Sequence, residues 1–121
     1  MKKRLTLIQM DVHVNDVEYN YNRVQELLSQ SLSENPDIII LPETWNTGFY
    51  PSRELSNISD KNGERTKSLL STFAKKHNVN IVGGSVAVAK NDVVFNTSYT
   101  YNRNGELVGE YSKMHGFSPA K

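Results

Sequence analysis

Asp37-Ile38-Ile39-Ile40-Leu41-Pro42-Glu43 is the stretch on which the fold of this chain turns. The run is short, β-branched and bounded by prolines at positions 36 and 42. It does not alternate with polar residues, the pattern of a strand buried on both faces. Pro42 has no N–H to give a ladder, so the strand should end there and deliver Glu43 at its carboxyl end.

Upstream, Val17, Tyr21, Val24 and Leu28 recur at spacings of four, three and four, with Leu27 and Leu32 widening the stripe. That period predicts an amphipathic helix. Asn15 is its expected N-cap, with Glu18 as a capping-box-like partner, and the helix should stop near Asn35-Pro36. Before it, Leu5-Thr6-Leu7-Ile8-Gln9-Met10 predicts a strand at about 4–10.

Downstream of Glu43, residues 43–62 read as irregular. Thr66, Leu69, Leu70, Phe73, Ala74 and His77 form a second helical stripe, closed by the cationic turn Lys75-Lys76-His77. Asn80–Val88 predicts a third strand, and its paired Gly83-Gly84 indicates close backbone approach. Asp92–Tyr101 and Glu106–Ser112 predict a fourth and fifth strand around the hairpin turn Asn102-Arg103-Asn104-Gly105. Two β–α–β crossovers followed by a hairpin define an α/β fold, a mixed sheet with two covering helices. Two helices are few for such a sheet, and the tail Gly116–Lys121 adds no further element, so the 121 residues are expected to be part of a longer protein.

Composition narrows the function. Apolar residues make up 37% of the chain, lean for a complete core. Lys plus Arg is 14 against 13 Asp plus Glu, a balance without an electrostatic footprint for nucleic acid or an anionic membrane. The longest apolar stretch is Ile38–Leu41, far short of a bilayer span. Met1-Lys2-Lys3-Arg4 is basic, but the following residues turn polar too soon for a signal peptide, so a cytoplasmic protein is expected. There is no cysteine, which excludes disulfides, thiolate metal sites and a thiol nucleophile within these residues. His13, His77 and His115 have no ligand spacing, so no metal is expected. Gly83-Gly84-Ser85 lies within a strand pattern and is neither a nucleophile elbow nor a phosphate loop.

Functional side chains of open α/β sheets gather outside the carboxyl ends of parallel strands. Glu43 falls there, and the loop after it carries Trp45, Phe49 and Tyr50, aromatics suited to a pocket wall. Lys113 likewise ends a strand, after Glu110-Tyr111-Ser112. A carboxylate and an ammonium sharing one desolvated cleft stay charged only when close and hydrogen-bonded.

In order along the chain stand Asp37–Glu43, Gly83-Gly84-Ser85, Asn96-Thr97 and Tyr111-Ser112-Lys113-Met114-His115-Gly116-Phe117. Together they resemble the N-terminal half of the nitrilase superfamily of carbon–nitrogen hydrolases. Glu43-Thr44-Trp45-Asn46-Thr47-Gly48-Phe49 is similar to its ω-amidase-like branch, which acts on small ω-amides of 2-oxo acids. The resemblance implies an α-β-β-α sandwich with a glutamate, lysine and cysteine triad. It implies Glu43 as general base, Lys113 as the cation that stabilises the oxyanion, and His115 as a substrate-binding residue that orients its neighbours. It implies no metal or organic cofactor, a small amide as substrate, and a homodimer for the full-length form. The family's cysteine lies a few tens of residues beyond the lysine, whereas these residues extend eight beyond Lys113. A second glutamate expected soon after the lysine motif is also absent, and Gly116 stands where a leucine is common.

Residues 1–121 therefore read as an incomplete carbon–nitrogen hydrolase domain, without the half that carries the nucleophile. The alternative is a catalytically inactive binding or interaction module derived from that fold. A flavodoxin-like domain fits less well, because Asp11-Val12-His13-Val14-Asn15 has no glycine for a phosphate turn.

Overall fold

A computed structural model describes residues 3–48 and 55–114. Its elements are β1 (Leu5–Leu7), α1 (Val17–Ser31), a 3₁₀ turn (Leu32–Glu34), β2 (Ile38–Ile40), α2 (Leu55–Ile58), β3 (Asp60–Lys61), α3 (Glu64–His77), β4 (Asn80–Val82), β5 (Val86–Lys90), β6 (Val93–Tyr101) and β7 (Leu107–Met114). β1, β2 and β4 run parallel; β6 runs antiparallel to β4, β5 and β7, and β3 flanks β5 in parallel. The expected mixed α/β sheet with two principal helices is thus the observed one.

Two local differences have physical causes. Asp16, not Asn15, caps α1: its carboxylate accepts from the Tyr19 N–H at 3.3 Å. Asn15 instead adopts φ 59° and donates its N–H to the Thr47 carbonyl at 3.0 Å, which ties the helix start to the Glu43 loop. Glu18 forms no capping box; both its oxygens accept from the Arg65 guanidinium, at 2.7 and 3.0 Å. That ion pair holds the Glu18 carboxyl below the usual carboxylate range. The stretch 43–62, read as irregular, contains α2 and the two-residue β3.

The predicted third strand is kinked. Val82 pairs with Thr100 and Val86 with Thr97, so Gly83, Gly84 and Ser85 face only Ser98 and Tyr99. One extra residue on one strand is a β-bulge, and it re-aims the chain. β5 then turns into β6 through Asn91 and Asp92, both at positive φ (51° and 69°), as a type I′ hairpin requires.

Pairing decides the two faces. Ile39, Ile81, Tyr99 and Tyr101 share one face with Val86 and Val88 and form one core with Tyr21, Val24 and Leu28 of α1 and Leu70 and Ala74 of α3. Each fully buried Leu or Val there contributes roughly 1.5–3 kcal/mol. Leu5, Leu7, Ile38, Ile40, Val82, Ser98 and Tyr111 share the other face. Among the described residues no helix covers it: Leu7 and Tyr111 are both 67% exposed. β2 is therefore buried on one face only, with Ile39 fully buried and Ile38 and Ile40 half-buried.

Tyr99 gives a stability prediction. Its hydroxyl is buried under Gly63 without a hydrogen-bond partner. An unpaired buried hydroxyl costs about 1 kcal/mol or more. Tyr99→Phe should therefore raise stability by about 1 kcal/mol. Burial, helped by the Glu110 charge, also pushes the Tyr99 phenol well above its ordinary 10.0. A raised folded-state value means that the parent keeps its full stability below pH 10.0 and loses some as pH rises beyond it, so the advantage of Tyr99→Phe should widen above pH 10.0. Thermal unfolding of both proteins at pH 7 and above pH 10 checks this; a lower melting temperature for the variant at pH 7 contradicts it.

Candidate active site

The Glu43 loop is clamped to the bulge by backbone. The Leu41 N–H donates to the Val82 carbonyl at 2.9 Å, and the Ser85 N–H to the Pro42 carbonyl at 3.2 Å. In return the Trp45 N–H donates to the Ser85 carbonyl at 3.2 Å, and the Thr44 N–H to Ser85 Oγ at 2.9 Å. Thr44 sits at φ 50°, unfavourable for a β-branched residue and sustained by these bonds. Only a residue without a Cβ permits the approach: a Cβ on Gly84 would overlap the Pro42 carbonyl oxygen. The sequence expectation of close backbone approach at the glycines holds.

Trp45 and Asn46 anchor the loop from beneath. The Trp45 ring is fully buried, meets Tyr21 edge-on at 4.9 Å and donates Nε1–H to the Gly83 carbonyl at 2.9 Å. Asn46 pairs with Ala87 as a strand would: Nδ2 donates to its carbonyl at 3.0 Å and Oδ1 accepts from its N–H at 2.9 Å. Asn20 Nδ2 adds a bond to the Asn46 carbonyl at 3.0 Å.

On the uncovered face these elements enclose a cleft of about 360 Å³. Glu43 and Lys113 both line it, brought from the end of β2 and from β7 across the sheet. Val82, Asn96, Ser98 and Tyr111 complete much of its wall. Glu43 and Lys113 share the cleft without joining in an ion pair, and both are exposed, with no cap on this face among the described residues. The cleft thus holds one carboxylate and one ammonium side chain, on a sheet face that no described helix covers.

Of the other residues expected at the site, Trp45 is core and does not line this cleft. Phe49, Tyr50 and His115 lie outside the described residues. Sequence reasoning missed Asn96 as a site residue. Its position was legible as the Asn96-Thr97 motif, but only the register, which sets Asn96 opposite Lys113, brings it to the cleft. Among the described residues no three His, Asp or Glu gather as metal ligands, and no helix is long and apolar enough to cross a membrane.

A mixed sheet with α1 and α3 on one face, and a cleft holding a carboxylate and an ammonium on the other, defines an α/β half-sandwich. The sequence model of the carbon–nitrogen hydrolase family matches residues 4–121, and the chain belongs to that family. It is 37% identical over 117 residues to the 2-oxoglutaramate amidase of Bacillus subtilis, a match covering 97% of this chain and 44% of that protein. It is 24% identical to the chloroplastic omega-amidase of Arabidopsis thaliana over 96% of this chain and 32% of the relative. Among solved structures, an amidase of Nesterenkonia sp. AN1 in complex with butyramide superposes with a TM-score of 0.77 at 19% identity, covering 97% of this chain and 45% of that one. The chain thus spans less than half the length of these relatives, and its fold is the N-terminal half of the nitrilase-type sandwich. A further structure of the Nesterenkonia amidase carries acrylamide added at its active-site cysteine.

Proposed function

We infer that this chain supplies the base and the cation of an amide-cleaving site whose cysteine comes from a further half of the domain. The observation that carries the reading is the shared cleft: Glu43 and Lys113, seventy positions apart, line one concavity on the uncovered face. Likeness to a 2-oxoglutaramate amidase supports a small ω-amide as substrate. Phe49, Tyr50 and His115 belong to the same proposal through their places beside Glu43 and Lys113 in the chain, as do a cytoplasmic location and a homodimer for the full-length form.

The mechanism combines the two groups of this chain with the thiol that the further half would supply. Amide carbonyls are poor electrophiles, so the thiol must be activated by a nearby base; Glu43 takes its proton. Attack on the amide carbon forms a C–S bond and places negative charge on the carbonyl oxygen. Lys113 is the fixed cation for that charge, which appears only as the tetrahedral species forms. Glu43 passes its proton to the departing nitrogen, and ammonia leaves a thioester. It then takes a proton from water, which attacks the thioester and releases the acid and the thiol.

The deciding experiment reads the gene beyond the codon for Lys121 and assays the encoded product for ammonia release from small ω-amides. A continuing frame with a cysteine and turnover supports the reading; an immediate stop defeats it. In the active product, Lys113→Met should lower kcat on the order of a hundredfold or more. A loss confined to KM would make Lys113 a carboxylate anchor instead.

The absence of any cysteine in these 121 residues favours one second reading, an inactive binding module that holds a carboxylate ligand at Lys113. Cooperative unfolding of a soluble, monomeric 121-residue chain supports it; aggregation or a molten state speaks against it.

A further inference from the structure

Lys113 is a flexible side chain, yet the role inferred for it demands a fixed ammonium. Among the described residues, Asn96 presents a buried and unpartnered acceptor beside it. On β6, Asn96 pairs with Lys113 of β7 on one side and with Ala87 of β5 on the other. Directly opposed residues of antiparallel strands leave the sheet on the same face with their Cβ atoms about 5 Å apart. Asn96 and Lys113 accordingly line the same cleft. Asn96 Oδ1 is buried and has no hydrogen-bond partner, an unfavourable state for a carbonyl oxygen that can accept two bonds. The neighbouring ammonium carries three donors on a four-carbon stem that can reach it.

We propose that Asn96 is a positioning residue, its Oδ1 accepting a hydrogen bond from Lys113 Nζ and holding that cation over the cleft. A neutral amide suits this role, because it orients the ammonium without neutralising the charge that the oxyanion needs. The proposal rests on the reading of Lys113 as the oxyanion's cation.

The test uses the full-length product with its cysteine-bearing half, and measures kcat, KM and the pH profile with a small ω-amide. Asn96→Leu keeps the shape and removes the acceptor. It should lower kcat on the order of tenfold or more, with KM little changed. Among the described residues, the titratable groups that line the cleft are Glu43, Tyr111 and Lys113. The profile of kcat against pH is read through its alkaline limb. That alkaline limb should move to lower pH in Asn96→Leu, which loses a bond to the charged form, and to higher pH in Asn96→Asp, which adds a facing carboxylate. Asn96→Asp is isosteric and carries the test should the leucine variant fail to fold. Parental kcat in Asn96→Leu, or an alkaline limb unmoved in either variant, overturns the positioning role. Lys113→Met assayed alongside separates the two failures: if it keeps the parental rate, or the parent has no activity, the reading of Lys113 falls and this inference with it.

Discussion

Replacing Glu43 by glutamine is expected to lower amide hydrolysis by the full-length product about a thousandfold, within the usual range for a positioned acid–base group. Glutamine keeps the volume and cannot take a proton from a thiol or from water. The fold should be indifferent to the change. Glu43 is exposed, its side chain makes no hydrogen bond among the described residues, and the loop is held by the backbone of Pro42, Thr44 and Trp45 rather than by the carboxylate. Unfolding curves should superpose while ammonia release nearly vanishes. A turnover within a few-fold of the parent removes Glu43 as the base. Because residues of one catalytic unit act together, the Glu43→Gln and Lys113→Met losses should not add.

The second large effect concerns Gly84. Gly84→Ala should cost about 3 kcal/mol or more, beyond an ordinary surface change. Two causes combine. Gly84 has φ +63°, a conformation an alanine adopts at a penalty. The added Cβ would also overlap the Pro42 carbonyl oxygen and come within 2.6 Å of the Leu41 carbonyl oxygen. Both obstacles are backbone and cannot rotate aside, so β2's end must part from the bulge, and the Ser85–Pro42 and Thr44–Ser85 bonds should break. Glu43 should then shift, so in the active product activity falls along with stability. Gly109→Ala is the control. Its Cβ would meet only Thr100, no closer than 3.5 Å, and urea midpoints should change little. Equal midpoints for Gly84→Ala and the parent would contradict the clamp.

Much of this arrangement is legible in the sequence. The stripe Tyr21, Val24 and Leu28 is the buried stripe of α1, and Asn102–Gly105 makes the hairpin, with Gly105 at φ 80° as that turn requires. Glu43 was legible as a strand-end residue because Pro42 stops β2. Trp45 shows where such reasoning stops. An aromatic in a loop beside a carboxylate is consistent with a pocket wall or with a core anchor. The choice was made by the Gly83 carbonyl and the Tyr21 ring, residues far from it in the chain. Asn15 and Asp16 are both able caps, and the Thr47 carbonyl took the first for the loop and left the second for the helix.

What the amino-acid order determined by itself is each segment's preferred conformation, because periodicity, proline, glycine and asparagine act through bonds and sterics within a few residues. What only the tertiary structure decided is which faces and which partners meet. A strand's two faces are equivalent until pairing orients them, and here the registers of β2 with β4 and of β6 with β7 sent α1 and α3 to one side and turned Lys113, Asn96 and the Glu43 cleft to the other.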